Sequence, residues 1–221
     1  MTGTLDRQIV RQADIDEQAA VLINELPDGD PLDAVTEAII GMSIRASAMA
    51  LDVAGTREYL ERALALGATA AQLQEAITLV SGTGVHTFFE STRILDSLVA
   101  PPEPAVLDPE RQRLWDAYVG DGGYWRVMQE EIPGFLAALN RMSPEAFEAF
   151  FVYCAVPWKS RNLGVVTKEL ISVAIDANPS HRYLPGMRMH IRNAIKVGAG
   201  RLAIQGALAV ASAGPAPHGV L

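Results

Sequence analysis

The feature that most constrains this chain is an ungapped internal repeat. Residues 32–86 align with residues 163–217 at a constant offset of 131, with identical residues at 14 of the 55 positions. The identities include Leu32/Leu163, Val35/Val166, Ile40/Ile171, Gly55/Gly186, Arg57/Arg188, Ala63/Ala194 and Ala68/Ala199. Such a repeat predicts one helical unit used twice, so each copy serves as a control for the other. Where the copies differ in chemistry, Ala38 faces Glu169 and Tyr59 faces His190.

Helix signals dominate throughout. Leu5 to Leu26 reads as an amphipathic helix stopped by Pro27. Residues 32–52 and 164–177 read as the first helix of each copy, with Val166, Leu170, Val173 and Ala174 at helical spacing. A second helix follows over Thr56–Leu66 and Met187–Val197, ending at Gly67 and Gly198 as left-handed caps. Thr69 and Gln72 suit a capping box for the third helix, whose counterpart runs over Arg201–Ala211. Between the copies, PPEPAVLDPE reads as a linker, with Asp108 and Pro109 fitted to N-cap and N1; Ser143 and Pro144 open a helix expected to end near Pro157. The order of the tail AGPAPHGVL is expected to depend on packing against a partner. The expected fold class is all-α, with two pseudo-equivalent repeats divided as 1–100 and 101–221 and assembling through leftover apolar faces.

Composition narrows the function classes. The chain has 221 residues, 49% of them apolar, and 26 acidic against 18 basic residues give a net charge of −8 without a basic run. Nucleic acid and anionic membrane are therefore disfavoured as partners. The amino terminus lacks a basic segment followed by an apolar stretch, and no run of 18 apolar residues occurs, so a cytoplasmic location is expected. The single Cys154 excludes an internal disulfide, a CxxC redox pair and a thiolate zinc site; in AFFVYCAV it reads as a core residue.

The segments TKELISVAIDA and HIRNAIKVGAG resemble the signature of the carboxymuconolactone decarboxylase and alkylhydroperoxidase D-like family, and TEAIIGMSIRA with YLERALALGATAAQLQEAI resembles it too. The resemblance covers both repeats, about half the chain. It implies the alkylhydroperoxidase D-like helical bundle, and the assembly expected through the leftover apolar faces is a homotrimer that resembles a hexamer of single units. Peroxidase members carry a CxxC ending four residues before the motif histidine; Tyr183 and Gly186, and Asp52 and Gly55, stand there in this chain. Thiol peroxidase chemistry is thereby excluded. What remains is the branch that decarboxylates a carboxylated muconolactone without a cofactor, or handles related small carboxylates and lactones by acid and base catalysis. A ligand-binding or assembly protein of the same fold, or a hydrolase or hydratase on it, stays open as an alternative.

The candidate residues follow. Glu169 shares a helix face with Val166, Leu170 and Val173, so its carboxylate is aimed at an apolar interior where desolvation suits a proton carrier; the plainer reading pairs it with Arg188 or Arg192. By the resemblance Glu169 matches the family's proton-relay glutamate and His190 its motif histidine, whereas Tyr59 would seldom exchange a proton at pH 7, leaving one active half per chain. NPSHRYLPGMR supplies His181, Arg182, Tyr183 and Arg188; an anionic substrate needs a local cation, for which Arg182 is the first candidate, while Arg188 also reads as a structural contact shared with Arg57. Trp158 is a candidate for a pocket rim. His86 and Glu90 share a helix face, with Arg93 three further on; a third metal ligand is not evident beside them, so no metal is expected.

Overall fold

The computed structural model describes residues 9–99, 107–120 and 123–218, and among these there is no strand. Twelve α-helices follow one another among the described residues. The first, α1 (Gln12–Ile23), is shorter than the predicted Leu5–Leu26; residues 1–8 lie outside the described residues, and the chain leaves the helix three residues before Leu26. The first repeat supplies α2 (Ala34–Ala46), α3 (Val53–Ala65) and α4 (Ala70–Ser81). A 3₁₀ turn (Gly82–Val85) and a π-helical turn (Phe88–Thr92) then lead into α5 (Arg93–Val99). The connecting helices are α6 (Pro109–Tyr118), α7 (Gly123–Glu131), α8 (Phe135–Met142) and α9 (Pro144–Lys159). The second repeat supplies α10 (Val165–Ala177), α11 (Leu184–Lys196) and α12 (Arg201–Ser212).

Every helix limit in α2–α4 recurs in α10–α12 at the offset of 131 residues. Local signals set those limits. Asp33 accepts the Thr36 N–H at the start of α2, Asp52 accepts the Gly55 N–H at the start of α3, and Thr69 with Gln72 forms a capping box on α4. Gly67 and Gly198 end α3 and α11 at φ 98° and 102°, a left-handed conformation that favours glycine. Leu51 and Arg182, also equivalent, hold φ 47° and 52°, so the same strained turn precedes the second helix of each copy. Asp108 and Ser143 cap α6 and α9 with proline at N1.

Other predicted limits move as well: α3 and α11 begin at Val53 and Leu184, three residues before the predicted Thr56 and Met187. The first helix of copy one stops at Ala46, not near residue 52, because the Ser47 hydroxyl turns back onto the Ile44 carbonyl and the backbone goes extended. Pro157 lies inside α9, which continues to Lys159: the Ser160 N–H still bonds to the Val156 carbonyl, and the buried Pro157 carbonyl accepts from the Lys168 ammonium.

Two apolar clusters hold the molecule together. One draws on α1 and on both repeats, with Ile39, Ile40, Ile44, Ile171, Val173, Ile191 and Ile204 at its centre, and α2 packs against α10 and α12. The other gathers the connecting helices around Phe135, Phe147, Phe150 and Phe151, and receives Phe89 and Met189 from outside them. The repeats therefore share a core, and the connecting helices cover one side of α11. Cys154 lies half-buried against the second cluster, where burial pushes its thiol up to about 12. At the carboxyl end the His218 N–H bonds to the Ala50 carbonyl.

Candidate active site

Glu169 and His190 meet. Glu169 sits in the second turn of α10 and His190 in the middle of α11, and His190 Nδ1 lies 2.7 Å from Glu169 Oε2. The glutamate is buried and the histidine nearly so, with side-chain exposures of 4% and 12%. Burial works against a charged imidazole, but the hydrogen bond to Glu169 and the negative charges of Glu169 and Asp176 outweigh it and raise the His190 pKa above the usual histidine value. A histidine whose Nδ1–H donates to a carboxylate leaves Nε2 to exchange a proton. The pair stands between two cavities. A cleft of about 90 Å³ is walled by His190, His86, Asp176, Trp158, Phe150 and Met189 among others. A wider groove of about 450 Å³ contains Glu169, with Trp158, Phe151, Asn193 and Lys196.

The first copy has no such pair. Ala38, fully buried, occupies the Glu169 position, and Tyr59 packs so closely on Gly41 that a Cβ there would come within 2.1 Å of its ring. The Arg45 guanidinium lies over the Tyr59 ring, 4.0 Å from its centre. The alternative partners for Glu169 are engaged elsewhere: Arg188 bonds to Glu131 at 2.8 Å, and Arg192 also pairs with Glu131.

A second polar cluster adjoins the cleft. His86 Nδ1 and His181 Nε2 approach to 2.6 Å, and Asp176 Oδ1 lies 3.6 Å and 3.5 Å from them. Burial, with the neighbouring His181 and His190, lowers the His86 pKa to about 4 against the pull of Asp176 and Glu90. Tyr183 stacks on His86 at 4.5 Å and its hydroxyl donates to Glu90 at 2.7 Å; Glu90 also receives the Arg93 guanidinium at 2.7 Å. Burial and the Glu90 carboxylate push the Tyr183 phenol up.

The structure thus brings together Glu169 with His190, and His86, His181, Tyr183 and Glu90 in one chain of contacts beside them. It does not bring Arg182 into the cleft. In its left-handed turn that side chain reaches away to the Val10 carbonyl at 2.9 Å, and the residues walling the cleft include no Arg or Lys. Arg188 is likewise bound to Glu131 and Gln18, which favours its structural reading. Trp158 lines both cavities. Sequence reasoning passed over Asp176, although comparison of the copies carries the signal: Arg45 stands at its equivalent position. It also passed over Lys168, one residue before Glu169, whose ammonium meets Glu75 at 2.6 Å with both side chains nearly inaccessible.

No protein-family model matches this chain, and no curated protein matches it in sequence. Among solved structures it is similar to a protein of Burkholderia xenovorans LB400 provisionally named a gamma-carboxymuconolactone decarboxylase subunit. The two are 26% identical over 92% of this chain and 90% of that one, with a TM-score of 0.71. The chain accordingly has an all-α fold of the carboxymuconolactone decarboxylase type.

Proposed function

We propose that this protein is a lyase or isomerase acting on a small carboxylated lactone or related ring acid, with Glu169 and His190 as its proton-transfer pair. The observation that carries the reading is the 2.7 Å contact between a buried carboxylate and an imidazole that lines a cleft, in only one of two otherwise matching repeats. The similarity to a protein named for gamma-carboxymuconolactone supports the choice of substrate class.

In the decarboxylation, the bond between the ring carbon and the carboxylate breaks. Its electron pair moves through the adjacent double bond toward the lactone carbonyl and CO₂ leaves. His190, protonated and held by Glu169, then delivers its Nε2 proton to the resulting dienolate, and solvent restores it. A positioned proton donor contributes about 10²–10⁴-fold. The hydrogen bond to Glu169 and the negative charges of Glu169 and Asp176 raise the His190 pKa and so favour its donor form. Self-association, proposed as a homotrimer, is supported by the exposed Ile94, Leu95, Leu98 and Val99 along α5.

The test is turnover of gamma-carboxymuconolactone, followed by CO₂ release and by chromatography of the product, for the wild type and His190→Ala. Turnover that collapses in the variant is expected. Turnover equal in both removes His190 from the chemistry, and none in either removes this lactone as the substrate, moves the search to other small acids and adds weight to the ligand-binding reading.

A further inference from the structure

Asp176 presents an imbalance that the repeat makes visible. In copy one, Asp52 Oδ2 lies against Gly55, where a Cβ would come within 2.1 Å of it; in copy two, Asp176 Oδ2 lies in the same way against Gly186, at 2.2 Å. Both copies thus press a carboxylate onto the same glycine, from different positions in the chain. Their compensation differs. Asp52 accepts the Gly55 N–H at 2.9 Å and faces the Arg45 guanidinium at 3.7 Å. Asp176 is 98% buried, its Oδ2 has no hydrogen-bond partner, and its ion-pair contacts among the described residues are with the two imidazoles alone. A buried carboxylate left so poorly matched is costly unless it is paired or binds a metal.

We propose that His86 Nδ1, His181 Nε2 and Asp176 Oδ1 form a three-ligand site for a divalent transition-metal ion, with zinc the ion whose geometry they fit. The three separations of 2.6, 3.5 and 3.6 Å define a triangle whose centre lies about 1.9 Å from each atom. Zinc–nitrogen and zinc–oxygen distances are about 2.0–2.2 Å, so an ion sits slightly off that plane with its fourth position open. Loading requires the imidazoles to part and turn, from 2.6 Å to the roughly 3.3 Å between ligands of a tetrahedral ion. His86 and Asp176 both line the cleft with His190, so the open position lies beside the proton-transfer pair. The ion also supplies a cation to hold a substrate carboxylate while His190 is left to move the proton, since no Arg or Lys lines the cleft. The site stands independently of the lyase reading because metal uptake is measured without substrate.

The test uses full-length protein stripped with chelator and dialysed, then loaded with zinc, or with cobalt(II) as the spectroscopic probe. Metal content after gel filtration, the visible cobalt spectrum and the melting temperature are recorded for the wild type, Asp176→Asn and His181→Gln, with far-UV circular dichroism as the check on folding. The expected result is one equivalent of zinc per chain, four-coordinate cobalt bands, and a zinc-dependent rise in melting temperature, with affinity falling by roughly tenfold or more in each folded variant. Wild type retaining under about 0.1 equivalent overturns the proposal, as does a folded Asp176→Asn that binds as the wild type does. The first outcome assigns the cluster to a shared proton between the imidazoles, with no dependence on any variant folding.

Discussion

Replacing Lys168 by Met should be among the most damaging single changes to this fold. The Lys168 ammonium contacts Glu75 Oε1 at 2.6 Å and donates to the Pro157 and Ser160 carbonyls at 2.8 Å and 2.9 Å. Glu75 Oε2 in turn accepts the Asn162 N–H at 2.9 Å and the Ser160 hydroxyl. These contacts tie α4 and α10 to the carboxyl end of α9, beside Trp158 in the cleft wall. With side-chain exposures of 3% and 2%, neither charge can turn to water when its partner is removed. Breaking a buried pair from one side costs about 3–5 kcal/mol, against a whole-domain stability of about 5–15 kcal/mol. The melting temperature should fall by roughly 6–20 °C. Removing both charges, in Lys168→Met with Glu75→Leu, should restore most of the loss, because no uncompensated ion is left behind. Acid supplies a second signature. Burial pushes the Glu75 carboxyl up, but the Lys168 ammonium, the Ser160 hydroxyl and the Asn162 N–H outweigh it and bring the pKa down to about 2 from 4.5. A depressed carboxyl pKa stabilises the fold fully above pH 4.5, and this contribution, about 3 kcal/mol, is lost as the pH falls toward 2. The gap between wild type and Lys168→Met should therefore narrow below pH 4.5. Urea denaturation at matched protein concentration, at pH 7 and at steps down to pH 3, measures both effects. A loss under about 1 kcal/mol for Lys168→Met, or a double variant no better than the single one, refutes the argument.

The other expectations are smaller in scope. Glu169→Gln should lower turnover of gamma-carboxymuconolactone by about 10²–10⁴-fold, whereas Tyr59→Phe in the first copy should stay within about twofold; equal losses in steady-state assays would place both copies in the chemistry. Gly198→Ala, at φ 102°, should cost about 1–2 kcal/mol in urea denaturation, and an unchanged midpoint would show that the left-handed cap is not needed. With its thiol pushed up to about 12, Cys154 should react with a disulfide reagent at pH 8 far more slowly in the folded protein than in urea; equal rates would contradict its burial.

The secondary structure was legible because each copy repeats its punctuation. Gly67 and Gly198, Thr69 with Gln72, and Asp108 and Ser143 before proline mark helix ends by local chemistry alone, and the structure uses all of them as such. The helix runs two residues past Pro157 because proline in a last helical turn removes one N–H, the one that would reach the Tyr153 carbonyl, without ending the helix, and its own carbonyl, beyond the reach of a helical N–H, finds a donor in Lys168 of the next helix. That compensation is tertiary and leaves no local trace. At the site, Glu169 and His190 stand out through the family resemblance and the contrast between copies, whereas their meeting across two helices is not written in helical spacing. Arg182 could not be placed, since the left-handed turn that carries it to Val10 is decided by φ at one residue. The meeting of His86 with His181 spans 95 residues and depends on how the turns after α4 pack against the loop before α11. The contrast between Arg45 and Asp176 was nevertheless available in the alignment of the copies.

The most direct measurement on the central claim is an NMR titration of the His190 imidazole in the wild type and in Glu169→Gln. If the two side chains act as a proton-transfer pair, His190 titrates above the ordinary histidine value in the wild type and drops when the carboxylate is neutralised. A His190 that titrates at the same pH in both proteins, or at or below the ordinary value in the wild type, would contradict the coupling on which the proposed chemistry depends.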